Sequence, residues 1–547
     1  MLIHSNLIDI HQNRIYPAEI VISKGRIKSV RESDKLCENF ILPGLIDAHV
    51  HIESSMVRPV AFSKIAVKHG TVSVVSDPHE IANVLGVEGI SFMVKDAKRT
   101  PLKILFGAPS CVPATTFESS GAEITSEMIA EILNWPEIGY LSEMMNYPGV
   151  IFQDEEVMKK LQLAKERGVP IDGHAPGLTG IALKQYAEAG ISTDHECFTY
   201  EEALEKISHG MKILIREGSG AKNFEALIPL LKSHPEMIMF CSDDLHPDDL
   251  MKGHINLLVK RAIQSGYDLF DSIRAAGYNT ARHYGLDAGM LKENDPADFI
   301  IIDSPDNWNI ISTYINGIPV FDNGEVHILD SEGETPNKFN INKLNVKDIS
   351  VPALGNKMRV IQAIDGELIT RAVTQKVLIE NGMAVCDIEQ DLLKIVVVNR
   401  YAQAIPAIGF IQGFKLKKGA LATSIGHDSH NIICVGTSDN DILEVVNWII
   451  EHKGGIAAFD GKQIHGLPLE IAGIMTSGSV EFTAKKYLEL SVIAKKLGSE
   501  MKAPFMTLAF MALLVIPDLK MSDKGLFDGK EFDFIPLFIN EEETLIR

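Results

Sequence analysis

Short apolar runs recur at 72–75, 104–106, 138–141, 169–171, 213–215 and 237–240, and the stretches between them carry helical periodicity. Strand and helix in alternation over about 250 residues is the pattern of a parallel sheet with helical crossovers, and that length suits a (β/α)8 barrel. This expectation fixes where chemistry belongs. In such a barrel the ligand-binding groups follow the strands and share one rim.

The flanks speak a different language. Residues 1–42 read as short strands, with apolar groups at 20–22 and 27–30 separated by the turn Lys24-Gly25-Arg26. The same vocabulary returns at 299–303, 311–315 and 320–321 around the hairpin signal Asn316-Gly317. The two pieces could form one sheet, and together they predict a small β-sandwich domain, 1–42 plus 294–342, on both sides of a barrel at 43–293. From 343 onward, strands such as 392–398 and a Gly-rich stretch at 454–478 predict a C-terminal α+β domain, 343–547, a candidate cover for the active site. The polar segment 329–345, with Pro336 and several acids, reads as the linker.

Composition excludes several classes. With 73 acidic against 52 basic side chains, the net charge of -21 repels phosphate backbones and anionic membrane surfaces, so neither nucleic acid nor membrane is an expected partner. The six cysteines are dispersed without a CxxC pair, which fits a reducing cytosol rather than a disulfide scaffold or zinc ribbon. Residues 1–13 lack the basic flank and apolar centre of a signal peptide. The longest strongly apolar run, 505–516, has 12 residues, short of the roughly 18 that a bilayer requires. The expected compartment is the cytoplasm.

The strongest local feature is Pro43-Gly44-Leu45-Ile46-Asp47-Ala48-His49-Val50-His51-Ile52-Glu53. Side chains alternate along a strand, so His49 and His51 face the same way and their imidazoles can share a divalent ion. An isolated HxH is more often a chance pair. Here Glu143, His174, His195 and Asp243 each follow another predicted strand, which puts all of them on one rim. Singly, each has a bland alternative: a solvated acid, a turn residue beside Pro176-Gly177, a buried partner of Asp194, a helix cap. Jointly they point to a metal centre.

The segments PGLIDAHVHIESSM (43–56), DPHEIANVL (77–85), APSCVPAT (108–115), SEMMNYPGV (142–150), DGHAPG (172–177) and DHE (194–196) resemble the bacterial adenine deaminase family of the amidohydrolase superfamily. The resemblance extends into the C-terminal region through GHDSHN at 426–431, and so covers essentially the whole chain. It implies that His49 and His51 bind a first divalent ion, His174 and His195 a second, that Glu143 bridges them, and that Asp243 joins the first. Many members of the superfamily bridge with a carboxylated lysine, and Glu143 supplies the same two oxygens without carbon dioxide. The implied reaction is hydrolysis of adenine to hypoxanthine and ammonia in purine salvage. Two ions per subunit are expected, Mn(II) or Fe(II) first and Zn(II) as an alternative, because mixed nitrogen and oxygen donors accept all three.

Attack at the adenine carbon needs water activated by metal and a carboxylate to carry protons, and Asp243 is the candidate general base and acid. Glu53 and Asp244 neighbour the ligands in sequence. In a strictly extended strand Glu53 shares the face of His49 and His51, which ranks it above Asp244. Glu80 and Ser110 are candidate contacts to the purine. Asp77, His79 and Asn83 lie on the same expected rim, although Asp77-Pro78 reads equally well as a helix start. His427, Asp428 and His430 form a second polar cluster. It is either a loop lent to the active site or to another metal, or a hydrogen-bonded turn, and Gly426 and Asn431 favour a loop over a helix. The ligand set alone also admits a cyclic amidase acting on a pyrimidine-like ring, and the fold alone admits a non-catalytic scaffold, which the filled ligand positions disfavour. A homodimer is the expected assembly, two-fold closure being the commonest.

Overall fold

The computed structural model describes residues 1–330 and 332–539. The chain divides into two compact units: Met1–His79, Ile90–Cys111 and Ile124–Gly333 in the first, and Glu80–Gly89, Val112–Glu123 and 334 onward in the second. Two short segments expected within the barrel, 80–89 and 112–123, therefore group with the C-terminal unit. The division falls after Gly333, ahead of the expected 342/343.

In the first unit the flanks meet in one eight-stranded sheet. Its N-terminal strands are β1 (Leu2–Asp9), β2 (Arg14–Ser23), β3 (Arg26–Glu32) and β4 (Phe40–Pro43). Antiparallel pairing of β4 with Phe299–Ile302 joins them to the strands that follow the barrel. Leu7, Tyr16, Ala18, Ile20, Ile27, Ile41 and Phe299 pack together there. The alternating burial of β2, with Tyr16, Ala18, Ile20 and Ile22 inward, is the period-two pattern of a strand with one covered face.

The barrel follows directly. Its strands are β5 (Leu45–Val50), β6 (Thr71–Ser76), β7 (Lys103–Ala108), β8 (Ile138–Met144), β9 (Ile171–Gly173), β10 (Thr193–Asp194), β11 (Lys212–Arg216) and β12 (Ile238–Cys241). β5 to β9 form one parallel sheet in chain order and β10 to β12 another. Ser192 N donates to Ile171 O at 2.9 Å across the first seam. At the second seam Asp243 N donates to His49 O at 2.9 Å and His51 N to Asp243 O at 3.3 Å, so the ring closes. Ala48, Val75, Tyr140, Leu214 and Met239, drawn from five strands, fill the interior as in barrels of this type.

The crossover helices carry recognisable ends. In Glu155–Arg167 the Asp154 side chain accepts from Glu156 N and Val157 N, and Gly168 adopts the left-handed conformation (φ +70°) just beyond the last turn. Val157, Leu161 and Ala164 form its buried face.

The second unit contains another eight-stranded sheet, in which Leu393–Val398 lies between Ala407–Gln412 and Ile432–Gly436. Helix Asp439–His452 starts at the capping Ser438 and lays Ile442, Val445, Val446 and Ile449 against Val396, Ala422 and Cys434. That is the α+β architecture expected. Among the described residues no helix is long and apolar enough to cross a membrane.

Candidate metal centre

The residues singled out after separate strands converge. His49 and His51, at the end of β5 and just beyond it, bring their Nε2 atoms within 3.1 Å of each other. Asp243 Oδ1 lies 3.6 Å from His49 Nε2 and 3.1 Å from His51 Nε2. Glu143, near the end of β8, turns its two oxygens to different partners. Oε1 lies 3.8 Å from His49 Nε2 and 3.3 Å from His51 Nε2, whereas Oε2 lies 2.6 Å from His174 Nδ1 and 3.3 Å from His195 Nε2. Glu143 thus stands between two pairs of imidazoles, and all but His174 of these six side chains are buried.

These spacings suit shared ions. Donors about 2.1 Å from one ion and near tetrahedral or octahedral angles lie roughly 3.0–3.4 Å from one another. Two imidazole nitrogens facing each other inside a protein, with carboxylate oxygens at similar range, is an arrangement that a divalent cation satisfies. The chemistry of the donors, nitrogen and oxygen only, fits Mn(II), Fe(II) or Zn(II).

The backbone makes this possible at the β12–β5 seam. Asp243 adopts a positive φ of 55°, a conformation Asp tolerates better than most residues. Its N–H and C=O thereby bracket the strand that carries both histidines. Glu53 does not continue that strand. β5 ends at Val50, and Ile52–Ser55 coils into a single 3-10 turn, so the strand alternation that ranked Glu53 above Asp244 does not apply. Glu53 is buried in this turn. Asp244, by contrast, has a carboxylate oxygen grouped with His51 and Asp243 within 4.8 Å, and it accepts from the Ser54 hydroxyl at 2.5 Å.

Four residues extend the cluster. His79 Nδ1 lies 3.1 Å from Asp77 Oδ2 and 3.4 Å from Glu143 Oε1. Sequence position had put both on the rim as substrate contacts, and the helix-start alternative also holds, since Asp77 accepts from His79 N. Arg216, the last residue of β11, pairs with Glu196 and donates to Asp243 Oδ2 at 2.6 Å. Neither Arg216 nor Glu196 was singled out beforehand, although each sits at a strand end or beside a candidate ligand, which is the signal that could have found it.

The electrostatics follow from these contacts. Burial opposes ionisation of Glu143, but His174 and His195 outweigh it and hold the carboxyl well below its usual range. Burial likewise opposes Asp243, while Arg216, His49 and His51 pull it well below the ordinary value. Burial would lower His51, yet Asp243 and Glu143 raise it. Both acids are anionic at neutral pH, as ligands to a cation must be.

The candidate substrate contacts fall in two places. Ser110 lies in the first unit and donates its hydroxyl to Glu143 O at 2.6 Å, engaged with the backbone that carries the carboxylate. Glu80, His427, Asp428 and His430 gather within the second unit. His427 Nδ1 lies 3.0 Å from Glu80 Oε1, His430 Nε2 meets Glu80 Oε2, and His427 Nδ1 is 3.6 Å from Asp428 Oδ1. The segment is a loop turn, so the HxxH pair does not share a helix face.

A barrel with nitrogen and oxygen donors gathered at the ends of its strands defines a metal-dependent amidohydrolase, and residues 40–320 match the amidohydrolase family. Residues 367–533 match the adenine deaminase C-terminal domain. The chain is 52% identical to an adenine deaminase of Methanosarcina mazei over 98% of its length and 99% of that protein's. It is 49% identical to one of Salinibacter ruber, again over 98% and 99%. The figure for one of Borreliella burgdorferi is 44%, over 97% and 99%. The chain belongs to the adenine deaminase family.

Proposed function

We propose that the protein hydrolyses adenine with water to hypoxanthine and ammonia, using a centre for two divalent ions. The observation that carries this reading is Glu143, whose separate oxygens address the His49/His51 pair and the His174/His195 pair. The full-length match to relatives named adenine deaminase supplies the substrate. His49, His51 and Asp243 would hold one ion, His174 and His195 the other, with Glu143 between. Mn(II) or Fe(II) is the expected metal and Zn(II) the alternative. Two such ions, when bound, lower the pKa of water toward about 7 and so provide a nucleophile at neutral pH.

The chain's own residues do the rest. Asp243 stays ionised against Arg216 and can accept the proton of the attacking water through its carboxylate. Proton delivery to the purine nitrogen and then to the departing amine needs a group that can hold a proton in between, a role open to Asp243 and to His79, which Asp77 orients through Nδ1. Asp244 replaces Glu53 as the second carboxylate of choice, because it shares reach with His51 and Asp243. Glu80, His427, Asp428 and His430 remain our candidates for recognising the purine. Ser110 is better read as a positioning residue for Glu143. We place the enzyme in the cytoplasm as a homodimer; all six cysteines are free thiols.

The test is direct. Full-length protein stripped of metal and reloaded with Mn(II) should bind two ions per subunit and release one ammonia per adenine, with the absorbance change of hypoxanthine formation. Glu143→Ala removes both oxygens and should lose both ions and the turnover. Ring opening of a cyclic amide in place of adenine deamination, or two ions retained by Glu143→Ala, would overturn the proposal.

A further inference from the structure

Asp47 is fully buried on β5, two residues before His49. Its Oδ1 accepts from His49 N at 3.2 Å and from Ser242 N at 3.1 Å. Its Oδ2 accepts from the Ser242 hydroxyl and lies 2.8 Å from His254 Nε2. His254, whose side chain has no exposed surface, has its other ring nitrogen 2.7 Å from the Thr71 hydroxyl. Its ring meets Phe62 edge to face at 5.7 Å.

Asp47 and Thr71 lie on the first and second barrel strands, Ser242 directly follows the last one, and His254 stands at the head of helix Ile255–Gln264. Two of them lie beside metal-binding candidates in the chain: Asp47 is two residues before His49, and Ser242 directly precedes Asp243. The Asp47 carboxylate therefore fastens the backbone of β5 to the residue that follows β12, at the very seam where Asp243 N donates to His49 O and His51 N donates to Asp243 O. Nothing comparable is needed for the proposed reaction itself, since these groups address backbone and one another.

We infer that Asp47, Ser242, His254 and Thr71 form a clamp that positions the His49/His51/Asp243 half of the centre and sets that half's affinity for its ion. The inference rests on the two-ion reading above. Groups behind metal ligands fix their orientation, and their loss commonly weakens binding about 10–100-fold. The clamp addresses only one seam, so its loss should act on one ion and spare the one at His174 and His195. Asp47 and His254 are positioning residues, and neither is assigned a step in the chemistry.

The cavity beside the clamp gives a specific test. His254 and Ser242 line a cavity of about 310 Å³, shared with Leu257, Leu258, Lys252 and Arg261. In His254→Ala the vacated ring volume adjoins this space, so imidazole added from solution can take its place. Mn(II) titrated into metal-free wild type, followed by the electron paramagnetic resonance of free Mn(II), should show two bound ions. His254→Ala should keep one of them at wild-type affinity and bind the other about 10–100-fold more weakly. Millimolar imidazole should restore the weaker site, and Thr71→Val should shift the same site by less. Leu257→Ala, on the cavity wall, should change neither.

Equal affinities in wild type and His254→Ala, equal weakening of both ions, or failure of imidazole to restore the weak site would overturn the clamp. Should His254→Ala not fold, Thr71→Val decides: an unchanged titration overturns the inference and a selective shift supports it. Fewer than two ions in the wild type would overturn the two-ion reading, and the clamp with it.

Discussion

At the scale of single residues, the charge balance around Arg216 decides more than any one ligand. Its guanidinium is buried, which opposes the charge, yet Glu196 and Asp243 on either side keep it firmly protonated. Arg216→Met would leave both carboxylates buried without their counter-charge, a change that costs about 3–5 kcal/mol when one partner of a buried pair is removed. We expect a correspondingly lower urea midpoint. The loss should be larger for metal-stripped than for metal-loaded protein, because an ion beside Asp243 supplies positive charge of its own. Equal losses in the two forms would show that Arg216 does not balance the centre's acids. The six candidate ligands were legible in the sequence because His, Asp and Glu are common metal donors and each of the six follows an apolar run. Arg216, Glu196, Asp47 and His254 were not, because their meaning lies in pairing. Ser242 reaches Asp47 across 195 residues, and nothing local in either segment announces the contact.

At the scale of elements, close contact between neighbouring strands fixes where Glu143 can stand. Gly107 on β7 has no room for a side chain: a Cβ there would lie 2.1 Å from Ser142 Oγ and 2.7 Å from Tyr140 Cζ, both on β8. Gly107→Ala must displace the Ser142 and Tyr140 side chains on the strand that carries Glu143, and overpacking of this kind costs about 1–3 kcal/mol. The expected outcome is a lower unfolding midpoint together with reduced metal content at limiting Mn(II). Normal metal content at a lowered midpoint would mean that β8 absorbs the strain without moving its carboxylate. The element scale also shows where strand reasoning stopped working. Alternation correctly placed His49 and His51 toward a common point, but it presumed that β5 ran on to Glu53. The chain instead turns at Ile52: β5 ends at Val50, which pairs with Ser76 on one side and Asp243 on the other. Periodicity reports the face of a strand and is silent on where it ends.

At the scale of the whole molecule, the order of classes along the chain was readable, since β flanks, an α/β barrel and an α+β region differ in the period of their apolar residues. Membership of the segments 80–89 and 112–123 was not, because they follow barrel strands in sequence and group with the C-terminal unit by contacts made far along the chain. Asn431 Nδ2 donates to Ser119 O, and Asp523 accepts from Ser119 N, across separations that leave no local trace. That unit also holds a group that ties stability to pH. Lys520 is fully buried, with Nζ donating to Leu368 O at 2.6 Å and Phe510 O at 2.9 Å, and burial pushes its pKa down to about 7. The sign follows from proton counting. Between about pH 7 and the unfolded value near 10.5 the unfolded chain holds a proton that the folded chain has released, so stability rises with pH across that window. Below pH 7 both states are charged and the full desolvation cost is present. The slope attributable to one proton is about 1.4 kcal/mol per pH unit. Urea unfolding of wild type and Lys520→Met from pH 6 to pH 10 should therefore give a difference that is constant up to about pH 7 and then shifts in favour of the wild type. A difference that stays flat over the whole range would show that the two carbonyls keep Lys520 charged in the folded protein.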